Sequence, residues 1–123
     1  MTRATWWWLA VVAAAAAAGV WLSAEALAVL TAFHQSTARL CNGTLAIPSS
    51  SFVYAWGGAA ASALAAVALV PVVRTMLRHW PRPVAITLTA VLALGACVLL
   101  LSAGWTVLDV HHDAQPVTRV CGG

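Results

Sequence analysis

A chain of 123 residues with 63% hydrophobic and 7% charged residues departs far from soluble domains, which average about 45–50% apolar and about 25% charged. A domain this small leaves a large share of its surface outside any core of its own, so the solvent expected for that surface is lipid. The net charge of +3 is dispersed along the chain, which excludes the clustered basic face of a nucleic-acid binder. Arginine as the sole strong base, beside abundant alanine, points to GC-rich coding and a bacterial source.

The first apolar run covers residues 6–33 and opens on Trp6-Trp7-Trp8. It exceeds the roughly 20 residues that cross a hydrocarbon core of about 30 Å as a helix. Arg3, the apolar stretch to Leu22 and Ala24-Glu25-Ala26 also resemble a secretory signal with cleavage after Ala26. The run is longer than a signal's usual apolar core of 7–15 residues, however, and "LAVLTAF" continues it, which favours a retained span. Ala10, Ala14 and Ala17 offer a narrow face. Glu25 is the one acid inside a run, and an intramembrane acid is a functional candidate. At about 20 residues from Trp6 it is expected near the far interface, beside Ala14, Ala18, Trp21 and Ala28, a surface suited to the glycine face of the second span.

Residues 34–51 read as a polar loop, with a turn at Asn42-Gly43, a glycosylation sequon at Asn42-Gly43-Thr44 that carries little weight in a bacterial protein, and Pro48 before three serines that can cap the next helix. The second run, residues 52–73, begins with Tyr54 and Trp56, aromatics at the headgroup level. Gly58 and Ser62 form a small-xxx-small pair, with Gly57, Ala61, Ala65 and Ala66 widening the narrow surface, and helix packing is expected there. Pro71 falls where a kink is tolerable.

The connector "RTMLRHWPRP" sets Arg74, Arg78 and Arg82 four residues apart and is expected to anchor on anionic headgroups. The third run, residues 84–108, lies between Trp80 and Trp105 and offers Thr89, Ala93, Ala96 and Ala103 at helical spacing. Cys97, mid-span, is expected to be a small packing residue. Residues 1–123 therefore read as one all-α, three-span membrane domain.

Arginine counts set the expected orientation. Arg3, Arg74, Arg78 and Arg82 lie on one side against Arg39 and Arg119 on the other, which predicts a cytoplasmic N-terminus and an extracytoplasmic C-terminus in the bacterial plasma membrane. That topology places Cys41 and Cys121 in an oxidising compartment and predicts a disulfide between them. It also gathers His34, His111, His112, Asp109 and Asp113 at the outer interface. Nitrogen and oxygen donors of this kind suit zinc or copper. No strong metal spacing is present, so His34, His111, His112 and Asp113 are expected to be a polar boundary, with no cofactor.

Phosphate loops, nucleotide fingerprints and serine elbows are missing from the sequence. The expected role is a non-enzymatic accessory or assembly subunit of a larger membrane complex, whose partners are the lipid bilayer and another membrane protein. The alternative is a homo-oligomeric transporter, channel or pore former. A pore wants polar residues recurring along one helix face, and beyond Glu25 and scattered Ser and Thr the spans supply few.

Overall fold

In lipid a backbone finds no hydrogen-bond partner outside itself, so apolar runs of this length become helices. The computed structural model describes residues 2–39 and 48–113. These form three helices, α1 (Arg3–Arg39), α2 (Ser49–His79) and α3 (Arg82–Asp113). All three are long and apolar enough to cross a membrane, and the protein is a small three-helix membrane protein. Each helix overruns its apolar run: α1, with 37 residues, is about 55 Å long, well beyond a hydrocarbon core of about 30 Å.

The helix ends explain the overrun. Polar residues outside hydrocarbon do not end a helix unless they bring a competing turn, and His111 and His112 bring none; they lie in the last turn of α3. The serines before Phe52 do not cap α2. Pro48 stands at the N-cap without a side-chain cap bond, and the Ser51 hydroxyl donates back to the Pro48 carbonyl at 2.8 Å. Pro71 lies within α2 without ending it. Arg74 and Arg78 accordingly sit on α2, not in a loop, and Arg82 begins α3. Between them, Trp80 is extended and donates its backbone N–H to Met76, while Ala85 N–H bonds to the Pro81 carbonyl at 3.0 Å.

Helices α1 and α2 form the tightest pair. A Cβ added at Gly19 would lie 2.7 Å from Ser62 Oγ and 3.4 Å from the Gly58 carbonyl oxygen; one added at Gly58 would lie 2.7 Å from Ser23 Oγ and 3.3 Å from the Gly19 carbonyl oxygen. The contact is reciprocal: Gly19-x-x-x-Ser23 on one helix crosses Gly58-x-x-x-Ser62 on the other, running antiparallel. Backbones this close also permit Cα–H···O contacts. Along α2, Ser51, Gly58, Ala65 and Val72 are buried at seven-residue spacing, with Ala55, Ser62 and Met76 beside them. On α1 Thr5, Gly19 and Ala26 are buried, and half-buried Val12 completes their seven-residue spacing, the repeat of helices that stay in contact over their length.

Three expectations for packing need correction. Ala10, Ala14 and Ala17 are exposed, and the face of α1 that meets α2 is Ala15, Gly19 and Ala26 with Ser23 beside them. Trp21, Ala14 and Ala28 are exposed as well, so the Glu25 face does not meet the glycines. Cys97 is an exposed free thiol rather than a packed residue.

The Cys41–Cys121 disulfide is also corrected. Among the described residues no Sγ–Sγ contact is found, and the one cysteine there, Cys97, is free. Sharing a compartment favours oxidation, but a bridge also needs Cα atoms within about 4.4–6.8 Å, which sidedness does not supply. Cys41, Cys121, the Asn42-Gly43-Thr44 sequon and Arg119 lie outside the described residues.

Helix α3 packs mainly on α2 and more lightly on α1. It is the most apolar of the three, yet only 6% of its most apolar stretch is buried, against 28% for α2. Burial occurs at its two ends, at Ala85 and at Ala103, Thr106 and Val110; from residue 86 to residue 102 no side chain is fully buried. At the far end Ala26, Leu30, Ala55 and Val110 close a three-helix cluster with Phe52, Tyr54 and Val107 against it.

Replacing Gly58 by alanine forces two backbones apart, and overpacking of this kind costs about 1–3 kcal/mol. Gly57 meets only the flexible end of Leu22, at 3.3 Å, so Gly57→Ala should cost less than about 1 kcal/mol. Dodecyl sulfate unfolding of the protein in mild-detergent micelles, followed by circular dichroism, should rank Gly58→Ala and Gly19→Ala well below Gly57→Ala and the wild type.

Candidate functional site

The antiparallel order gathers four arginines at one end and sets the three acids, with Arg39, towards the other. Arg3 opens α1, Arg74 and Arg78 lie near the end of α2, and Arg82 opens α3, so all four belong to one basic end. The acids of the chain are Glu25, Asp109 and Asp113, and they lie towards the other end. Among the described residues nothing acidic stands in the first turn of α1 or α3.

At the acidic end the described candidates His34, His111 and His112 are not drawn into one cluster. His111 is held by α2: its ring lies 5.5 Å from that of Phe52, tilted, and 5.9 Å from that of Trp56, edge to face. His34 lies on α1 with its ring 6.1 Å from that of Phe33. His112 follows His111 on the exposed side of α3, and Asp113 closes the helix. Among the described residues no three His, Cys, Asp or Glu side chains are placed to hold a metal ion. His111 therefore acts as an aromatic docking residue: it clamps the end of α3 onto the start of α2, beside the Val110 cluster. Glu25 is half-buried on α1 next to Ala26, which is fully buried.

The packing candidates on α2 separate by depth. Gly58 and Ser62 are buried at the crossing, while Gly57 is half-buried to one side against Leu22. Their partners Gly19 and Ser23 escape a sequence reading that looks for alanine faces; the repeated Gly-x-x-x-Ser spacing is the signal that finds them. Phe52 and Trp56, one turn apart on α2, are the aromatic partners that sequence reading does not assign to His111.

Hydroxyl groups inside the spans serve their own helices. Ser62 donates to Gly58 O at 2.7 Å, Thr75 to Pro71 O at 2.9 Å and Thr106 to Ser102 O at 2.9 Å. Thr89 differs, because its Oγ1 is buried without a hydrogen-bond partner. It lines a groove of about 270 Å³ between α2 and α3, formed by Ala66, Leu69, Val70 and Val73 on one side and Thr89, Leu92, Ala93 and Ala96 on the other. This is where α3 stands away from α2 between its buried ends.

No known protein family, curated protein or solved structure matches the chain.

Aromatic pairs contribute about 0.5–1.5 kcal/mol beyond their area. His111→Ala should therefore raise amide exchange over residues 106–112 by about three- to tenfold in micelles, while His111→Phe keeps protection near the wild-type level. Mass-spectrometric hydrogen exchange reads both.

Proposed function

We propose that the protein is a non-enzymatic accessory or assembly subunit of a larger membrane complex, in the bacterial plasma membrane with its basic end cytoplasmic. The observation that carries this reading is the surface of α3. It is the most apolar helix and the least covered by its own chain, and its uncovered side carries Ala90, Cys97 and Gly104, all exposed, at seven-residue spacing. A Cβ on Gly104 would meet nothing within 4 Å. In lipid the hydrophobic effect does not drive helices together, and narrow surfaces that let backbones approach take its place. The α1–α2 pair already shows how this chain uses such a surface.

Its hydroxyl groups support the same reading over an internal path. Ser62, Thr75 and Thr106 donate to their own helices, so they offer no continuous polar lining of the kind a permeation route needs. Orientation rests on the four arginines of the basic end, since short loops rich in arginine stay in the cytoplasm.

Two measurements test the proposal. Purification of tagged full-length protein in mild detergent should recover a partner in constant stoichiometry, and Gly104→Leu should lower that recovery several-fold without loss of helical content. A lone homo-oligomer, unchanged by Gly104→Leu, overturns the accessory reading. For orientation, a single cysteine introduced as Arg78→Cys, with Cys41, Cys97 and Cys121 replaced by serine, should resist an impermeant thiol reagent in intact cells and react after lysis; labelling before lysis reverses the topology.

A further inference from the structure

We infer that the groove between α2 and α3 is a binding site for one anionic phospholipid, its acyl chain lying in the groove and its phosphate held at the basic end. This goes beyond the accessory role and does not depend on it. The groove is lined by seven apolar side chains and Thr89. The lining spans eight positions on each helix, 66–73 and 89–96, a length of about 10 Å at 1.5 Å per residue, which fits within the roughly 15 Å of one hydrocarbon leaflet.

Its position relative to the arginines selects the headgroup. Arg74 follows Val70, a lining residue, by four positions, one helical turn nearer the basic end. Arg82 precedes Thr89 by seven positions, two turns along the same face of α3. Both arginines are exposed, so their side chains can reach past the mouth of the groove to a phosphate at the interface.

Charge complementarity points to an anion from outside the chain. The three carboxylates of the sequence are Glu25, Asp109 and Asp113, and none lies at the basic end. Arg78 at the end of α2 suits the partial negative charge of that terminus. Arg82 does not have this explanation. It is the first residue of α3, with no acid in the first turn, and a cation at a helix N-terminus is unfavourable unless an anion joins it. A lipid phosphate at that point meets both the guanidinium and the backbone N–H groups of Arg82 and Val84, since Pro83 has none and that of Ala85 bonds to Pro81.

Thr89 supplies the third contact. Thr31, Thr75, Thr87 and Thr106 each donate to a carbonyl of their own helix four residues back, whereas the buried Thr89 hydroxyl has no partner. A buried polar group left unmatched is costly in hydrocarbon. Thr89 lies about 10 Å below Arg82 along the helix, among the lining residues nearest the basic end, and it is the one lining side chain able to donate to a lipid ester carbonyl.

The test is native mass spectrometry of the full chain in detergent, titrated separately with dioleoyl phosphatidylglycerol, dioleoyl phosphatidylcholine and glycerol phosphate. One phosphatidylglycerol should bind per chain, about tenfold more tightly than phosphatidylcholine, with no binding of glycerol phosphate in the same range. Arg82→Gln should weaken phosphatidylglycerol about fivefold. Ala93→Phe, which fills the groove and leaves every arginine in place, should weaken it tenfold or more; Ala96→Leu does the same from the next turn and serves if circular dichroism shows Ala93→Phe to be misfolded. Undiminished binding in a folded groove-filled variant overturns the inference, as does equal affinity for glycerol phosphate. A dimer that dissociates on Ala93→Phe without loss of lipid overturns it too, and assigns the groove to a second copy of the chain.

Discussion

Everything in this fold depends on how closely two backbones approach where Gly19 and Ser23 cross Gly58 and Ser62. Within a bilayer the lipid tails are as apolar as leucine, so burying side chains against a neighbouring helix gains little by itself. What remains is contact between atoms, and contact grows as the helix axes draw together. The two glycines remove the side chains that would hold the axes apart, and the buried series on each helix carries the contact on towards both ends.

The third helix shows what happens without such residues in facing positions. Gly95 and Gly104 are present in α3, but a Cβ at either would meet nothing. Docking is therefore left to small residues at the ends: Ala85 by the two-residue connector, and Ala103, Thr106 and Val110 by the aromatic clamp on His111. Fastened at both ends, α3 stands off in the middle. The groove follows from this geometry, and so does its place directly inside the basic end.

Three long helices were legible in the sequence because hydrocarbon admits few alternatives for apolar runs of this length. Their ends were not, since His111, His112, Arg74 and Arg78 look like boundaries in hydropathy while the backbone needs a competing turn to stop. Gly58 and Ser62 stood out on α2 because glycine and serine are rare against its alanines. The matching pair on α1 was obscured by the run Ala13–Ala18, which makes many faces look narrow at once. Side chains that meet only through tertiary contact, such as His111 with Phe52 and Trp56, leave no mark in local spacing. The disulfide expectation failed for a related reason: a shared side of the membrane says nothing about separation in space.

Ser51, Ser62 and Thr106 are buried between helices, yet each hydroxyl donates to a carbonyl of its own polypeptide segment three or four residues back. They are consequently satisfied before any neighbouring helix arrives. Segments can carry these three hydroxyls into lipid alone, because none of the three bonds must wait for a partner. Biogenesis is thereby split into insertion, governed by hydropathy, and later lateral assembly, governed by shape. Because assembly breaks no polar bond already made, the order in which α1, α2 and α3 find one another is free to follow the order of synthesis.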